Sequence, residues 1–275
     1  MTDAIKSMKL YPRADRILTD LRARGYDDAA PVPVAELSTL DQLHYYGTDA
    51  VDHAISSAGM KPGQTVLEVG SGWGGCARWM AHRAGVKVTA VELQQDYHGI
   101  AQQLSTRAAL GDSVQHVNAD FLTVDLPDAG FDHAASWLAL FHIPNREKYL
   151  GRVAKALKPG GTFVAEDLFA ISPPPEDEKE DFAAMLFPNS LVDWESYGAG
   201  LEAAGFEVVE LEDMTTDWAA FTAHRNTAFQ AGRSQYEAVH GTEGYATIAQ
   251  FYDKMAGYLA RRLVGGVRFV ARKKH

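Results

Sequence analysis

Cysteine is almost absent: Cys76 is the single one in 275 residues, so no intramolecular disulfide can form. Long hydrophobic runs are missing too. The most apolar stretch, His133 to Asn145, contains Pro144 and is shorter than the roughly 18 residues a membrane span needs. The N-terminal MTDAIKSMKLYPRADR carries charges where a secretory signal needs an apolar run. The expectation is a cytoplasmic protein without stable membrane insertion. Basic charge is scarce, with 26 Lys+Arg against 36 Asp+Glu and a formal net charge of −10, all spread along the chain. That leaves no basic stripe for neutralising nucleic-acid phosphates, and it favours a small-molecule partner. One Cys and scattered His residues give no tetrahedral ligand set, so no metal is expected. Neither repeats nor low-complexity tracts appear. The oligomeric state is left open.

What is present is a chain, 46% hydrophobic, long enough for one large core with elaborations. From Gln64 onward, short β-branched runs alternate with stretches long enough for one helix each. The runs at 65–70, 86–93, 114–120, 131–140 and 161–168 read as strands, and 206–214 and 267–273 as two more. That alternation is the pattern of a parallel sheet covered on both faces. About fifty helical residues separate the last two strands. Four segments follow: an N-terminal cap over 1–60, a core over 61–214, an aromatic-rich helical insert over 215–262, and a last core strand over 263–275. Within the cap, ADRILTDLRARG reads as a helix closed by Gly25. Residues 171–181, ISPPPEDEKED, read as an exposed loop. The cap and the insert are expected to act as lids over a site on the core.

LEVGSGWGG places Gly70, Gly72 and Gly74 where the first strand turns into a helix. Glycine permits the sharp turn and the close approach of a ligand, and the helix start offers unpaired N–H donors. Twenty residues beyond Gly72, Glu92 ends the second strand, where a carboxylate can accept both hydroxyls of a ribose. On these residues alone a nicotinamide dinucleotide stays open, because GSGWGG also satisfies G-x-G-x-x-G. Downstream, Asn118-Ala119-Asp120-Phe121 closes the third strand with an acceptor for an exocyclic amine and a ring that can stack. ALKPGGTFVAED, 156–167, ends a helix in a glycine turn before the fifth strand.

Taken in order, LEVGSGWGG, AVEL, NADF and LKPGG resemble the class I S-adenosylmethionine-dependent methyltransferases. The likeness is nearest to the phosphoethanolamine and sarcosine/dimethylglycine methyltransferase-like small-molecule group. It covers residues 60–170 well and the last two strands more loosely. It implies an α/β, Rossmann-like, seven-stranded sheet with the last strand antiparallel. It also implies S-adenosylmethionine as cofactor, held by Glu68, Gly70, Ser71, Gly72, Trp73 and Gly74 at the methionine end and by Glu92 and Leu93 at the ribose. Asp120 and Phe121 would take the adenine, with Ser136 and Trp137 at the fourth-strand tip. Asp41 and Gln42 are further candidates for the methionine end.

The same resemblance makes the fourth-strand tip, Ser136 to His142, face the acceptor. His142 is the candidate base, since imidazole titrates near neutrality. His44 is a second candidate, and Tyr45 or Tyr46 would orient the nucleophile. Trp137, Phe187, Trp218, Tyr245 and Tyr252 suit a cationic or apolar acceptor, whereas Arg225 suits a carboxylate. A phosphobase is disfavoured, because Trp137, Met185, Leu186 and Phe187 stand where its phosphate needs cations. The implied activity is methyl transfer to a small molecule, amine or amino-acid-like. A cyclopropane-synthase-like lipid reaction is the alternative. An NAD-dependent oxidoreductase is a more distant one, because it needs a catalytic Tyr/Lys pair and leaves LKPGG unexplained.

Overall fold

The computed structural model describes residues 13–275. Residues 1–12, the start of the expected N-terminal cap, lie outside the described residues. Seven strands form one sheet: β1 (Thr65–Val69), β2 (Lys87–Glu92), β3 (Val114–Asn118), β4 (Phe131–Trp137), β5 (Leu157–Ala170), β6 (Phe206–Asp213) and β7 (Val264–Lys273). Their order is β3-β2-β1-β4-β5-β7-β6. The first five run parallel, and β7 lies antiparallel between β5 and β6.

Ten α-helices are described. They are α1 (Arg16–Ala23), α2 (Val34–Leu37), α3 (Thr48–Ala58), α4 (Gly75–Ala84), α5 (Gln95–Arg107), α6 (Arg146–Ala156), α7 (Lys179–Leu186), α8 (Trp194–Ala203), α9 (Thr215–Ala231) and α10 (Arg233–Ala260). Side chains alternate across the strands, so each face of the sheet has its own core. Leu67, Val69, Phe163 and Phe269 pack with Tyr149, Val153 and Leu201 of α6 and α8. Val66, Val88, Ala90 and Val270 pack on the opposite face with Val51 of α3 and Ala77 and Met80 of α4.

Two smaller clusters add to this frame. Ile17, Leu21, Val32 and Leu37 gather around Trp73, Tyr97 and Leu104, seating the N-terminal segment behind the glycine loop and on α5. Tyr45, Phe141, Leu168, Leu186, Trp218, Met255 and Tyr258 draw α7, α9 and α10 over the end of β5. Chain connections leave β1 and β4 in opposite directions, so a crevice opens beyond the carboxyl ends of those two strands.

Two local expectations need correction. LKPGG is not a turn ahead of β5, because the strand already begins at Leu157 beside Phe131. The glycines produce a register shift inside the β4–β5 pairing, with Gly160 at φ 74°. The 171–181 segment is not loop throughout. A short 3-10 turn, Glu176–Glu178, follows the prolines, and α7 starts at Lys179 with Glu180 and Asp181 in its first turn, where acids suit the helix dipole.

Trp218 ties the insert to the sheet. It is fully buried, meets Tyr45 edge-on at 4.7 Å, and lies so close to Gly266 of β7 that an added Cβ would fall 2.3 Å from its ring. Trp218→Ala is expected to cost about 3–5 kcal/mol in urea denaturation, since neither the strand nor Tyr45 can collapse into so large a void.

Candidate active site

A cavity of about 190 Å³ fills the crevice, and its lining falls into two chemically distinct halves. One half is polar. Gly70, Gly72 and Gly74 all have positive φ, which lets the chain turn from β1 into α4 over a single short loop. The space beside Gly70 is filled by Ala139, 2.3 Å from where a Cβ would stand, and that beside Gly75 by the Asp41 carbonyl at 2.5 Å. Glu92 receives the Gly72 N–H on Oε2 and the Gln94 N–H on Oε1, both at 2.8 Å. The carboxylate keeps further acceptor capacity, and Glu92 lines the cavity. Asp120 uses only Oδ1, toward the Leu122 N–H at 2.8 Å, with Phe121 beside it.

Glu68, at the end of β1, lines this half. Its Oε2 is buried with no hydrogen-bond partner among the described residues. Burial, reinforced by the nearby Glu92, pushes its carboxyl up to about 8 against the opposing pull of Arg78. Behind the loop, the fully buried Arg78 donates to Asp41 Oδ2 at 2.8 Å, the Trp73 carbonyl at 2.7 Å and Ser105 Oγ at 3.1 Å. One guanidinium therefore joins α4, α5, the glycine loop and the segment that precedes α3.

The other half is largely apolar. Leu138, Phe141, Leu168, Met185, Phe251 and Met255 line it together with His44, Tyr45, Trp137, His142 and Arg225. A 3-10 turn, Leu140–His142, carries His142 and is held from several sides. Asp167 Oδ1 accepts the Phe141 N–H at 3.3 Å, Ser190 donates to the Phe141 and Leu140 carbonyls, and Asn189 donates to the His142 carbonyl. Asp167 is itself held by the Tyr197 hydroxyl at 3.0 Å, and burial raises its carboxyl to about 7.

His142 Nδ1 lies 3.2 Å from the Phe187 carbonyl. A carbonyl can only accept, so Nδ1 bears the proton and Nε2 keeps a free lone pair. Burial lowers the His142 pKa to about 4, overturning the expectation that this imidazole titrates near neutrality. The same cause holds His44 at about 4. His44 Nδ1 lies 3.0 Å from the Tyr45 carbonyl and Nε2 lies 2.9 Å from Gln42 Oε1, and the neutral ring, with one N–H, donates to one of these two oxygens.

The cavity thus brings together Glu68, Gly70, Ser71, Gly72, Glu92, Leu93, Asp120, Phe121, Trp137, His44, Tyr45, His142 and Arg225. Trp73, Gly74, Ser136, Tyr46, Phe187, Trp218, Tyr245 and Tyr252 stand outside its lining, each for a packing reason. Trp73 points backward, donating from Nε1 to the Ala14 carbonyl and stacking on Tyr97. The space beside Gly74 is taken by His116 and Arg78. Ser136 spends its hydroxyl on the Val69 carbonyl. The Tyr46 hydroxyl reaches the Asp217 carbonyl on the outer side of α9.

Phe187 contributes its carbonyl, not its ring, from a left-handed backbone at φ 45°. Trp218 lies beneath Tyr45, and Tyr245 stacks on Phe229 at 5.2 Å between α9 and α10. Tyr252 reaches the site only indirectly, as a ring 4.2 Å from the Arg225 guanidinium. Phe251 and Met255 escaped the sequence reading. Together with Ile248 they form an i, i+3, i+7 apolar stripe on α10, and that spacing is the signal that separates them from the neighbouring tyrosines.

Known proteins share this fold. Residues 38–263 match the protein family described as mycolic acid cyclopropane synthetase. The sarcosine/dimethylglycine N-methyltransferase of Halorhodospira halochloris is 27% identical over 189 residues, which cover 69% of this chain and 64% of that protein. The first curated relatives are matched over less than two thirds of their own length. A phosphoethanolamine N-methyltransferase 2 of Haemonchus contortus superposes with a TM-score of 0.80 at 19% identity, over 96% of this chain and 58% of that one. The cyclopropane synthase MmaA2 of Mycobacterium tuberculosis superposes with a TM-score of 0.73 at 18% identity, over 97% of this chain and the whole of that one. At such identities the superpositions establish the fold.

Proposed function

Because the chain belongs to the mycolic acid cyclopropane synthetase family of class I S-adenosylmethionine-dependent methyltransferases, we propose that it transfers a methyl group from S-adenosylmethionine to a small-molecule acceptor. The observation that carries this reading is the division of one cavity into a polar half and an apolar half that meet at the tips of β1 and β4. The polar half fits the cofactor by its own chemistry. Glu68 offers an unpartnered carboxylate oxygen to an ammonium group, Glu92 retains lone pairs for ribose hydroxyls, and Asp120 with Phe121 suits an adenine edge and face. When bound, the cofactor supplies a methyl group already activated by the positive charge on its sulfur.

The residues of the chain then align and enclose. Trp137, Phe141, Phe251 and Met255 keep water from the reacting centre, and the pinned 140–142 turn fixes His142. Neutral His142, with Nε2 free, accepts a hydrogen bond from an acceptor atom that carries a proton. Tyr45 lines the same cavity. Residues 41–46 and helices α9 and α10 serve as the lid, while residues 13–40 brace the glycine loop from behind. The apolar lining gives some support to a lipid-like acceptor as a second reading. The balance of charge, −10, supports a cytoplasmic enzyme without nucleic-acid partners.

Incubating the protein with methyl-labelled S-adenosylmethionine and a panel of amines, carboxylic acids, thioethers, phenols and unsaturated lipids tests the activity. Label is expected in one class, and transfer to none of them counts against the reading. Glu68 adds a further check. Protonated at pH 7 in the free protein, it ionises when paired with an ammonium, so S-adenosylhomocysteine binding should release up to one proton per site and tighten as pH rises toward 8. Calorimetry in buffers of different ionisation enthalpy measures that release, and Glu68→Gln should abolish it.

A further inference from the structure

We infer that the acceptor is a carboxylate borne on an apolar body and that Arg225 is the residue that takes the carboxylate. The inference rests on the methyltransferase reading and narrows its acceptor. Arg225 projects from α9 into the apolar half of the cavity, among the rings of Tyr45, Phe221 and Tyr252 at 5.0, 5.6 and 4.2 Å. Its Nε and Nη2 are buried without a hydrogen-bond partner among the described residues. Those two atoms direct their N–H bonds in parallel along one edge of the guanidinium plane, the edge that pairs with both oxygens of a carboxylate.

The aromatic faces attract the charge but do not accept these in-plane hydrogens, and buried donors left unpaired are costly enough to be rare. Arg78 and Arg268, in contrast, meet Asp41 and Glu166 within the protein. Arg225 engages the Tyr45 side chain by a hydrogen bond, but its Nε–Nη2 edge meets no acid among the described residues. That edge is closed to solvent in this structure, so the Arg225 side chain or α9 must move before a carboxylate can pair with it.

The rest of the chamber limits what accompanies the carboxylate. Phe141, Leu168, Met185, Phe251 and Met255 line the same cavity as Arg225, and the carboxylates of that cavity, Asp41, Glu68, Glu92 and Asp120, lie about the glycine loop and the strand ends. The ammonium of an α-amino acid would find no counter-charge beside the apolar groups. A phosphate dianion would find one cation only, since His44 and His142 are neutral at physiological pH. A singly charged acid with a hydrocarbon or aromatic body matches both the single guanidinium and the surrounding side chains.

Calorimetry on the full chain saturated with S-adenosylhomocysteine, titrated with octanoate, octanamide, 2-aminooctanoate and octyl phosphate, tests the assignment. Octanoate should bind about 10- to 100-fold more tightly than octanamide, and more tightly than either of the other two probes. Arg225→Met should erase the preference for octanoate over octanamide, whereas Arg225→Lys should keep part of it, because a point charge replaces the fork. Equal binding of octanoate and octanamide, no octanoate binding at millimolar concentration, tighter binding of the amino acid or the phosphate, or a carboxylate preference that survives Arg225→Met would each overturn it. The S-adenosylhomocysteine titration that precedes these separates the two claims. If it fails in the unaltered protein, the methyltransferase reading falls. If it succeeds and the carboxylate preference is missing, only the Arg225 assignment falls.

Discussion

Arg78→Met is expected to lower folding stability by about 3–5 kcal/mol and to remove S-adenosylhomocysteine binding together with it. Arg78 has no exposed side-chain surface, and its partner Asp41 has almost none. Burial pushes the Asp41 carboxyl up and the guanidinium pulls it back down, so the pair survives in the interior only while both members are present. Removing the arginine leaves a carboxylate that must be protonated to stay buried. The loss should therefore deepen as pH rises above the ordinary carboxylate range. It also frees the Trp73 carbonyl, and with it the glycine loop that leads into α4. Urea denaturation at pH 5 and pH 8 measures both effects. The double variant Arg78→Met, Asp41→Asn should recover much of the stability, because the stranded charge is gone. A loss below about 1 kcal/mol for the single variant would show that the pair is not holding these elements together.

His142→Ala is expected to reduce kcat by roughly 10²–10⁴-fold on an acceptor whose nucleophilic atom carries a proton, with S-adenosylhomocysteine affinity little changed. The imidazole is already neutral throughout the physiological range, its pKa lowered to about 4 by burial, and Nδ1 is committed to the Phe187 carbonyl. The pH profile of kcat between 5.5 and 8 should accordingly show no step that disappears in the variant. With so weak a base, the proton must leave as the new bond to carbon forms. An acceptor atom without a proton, such as a thioether sulfur, would need no such help and would reduce the effect to one of positioning. Full turnover in His142→Ala on a protonated nucleophile would remove the residue from the mechanism.

The sheet was legible in the sequence because β-branched runs must be buried on both faces, and that requirement sets their spacing whatever the loops do. The long helical interruption before β7 was legible for the same reason, since VRFVARK has no helical period. Side-chain direction within the site was much less so. Trp73 sits between two glycines of positive φ, and the turn they create aims its indole backward at Ala14, a direction no local pattern encodes. The aromatics of 215–262 were read by residue type, but helical phase decides which of them face the cavity. Tyr245 and Phe229 lock α9 to α10, while Phe251 and Met255 look inward. His44 was a second candidate beside His142. Its ring nitrogens face the Tyr45 carbonyl and Gln42 Oε1, oxygens of neighbours one and two residues away, and residue type alone does not reveal that local contact.

The central claim is that the polar half of the cavity holds S-adenosylmethionine and not a nicotinamide dinucleotide, which the glycine loop alone would allow. Titration calorimetry of the unaltered chain with S-adenosylhomocysteine and, separately, with NAD measures this directly. The expected result is one micromolar-range site for S-adenosylhomocysteine, weakened by about 1–3 kcal/mol in Asp120→Ala, and no heat from NAD. Saturable NAD binding with no response to S-adenosylhomocysteine would contradict it.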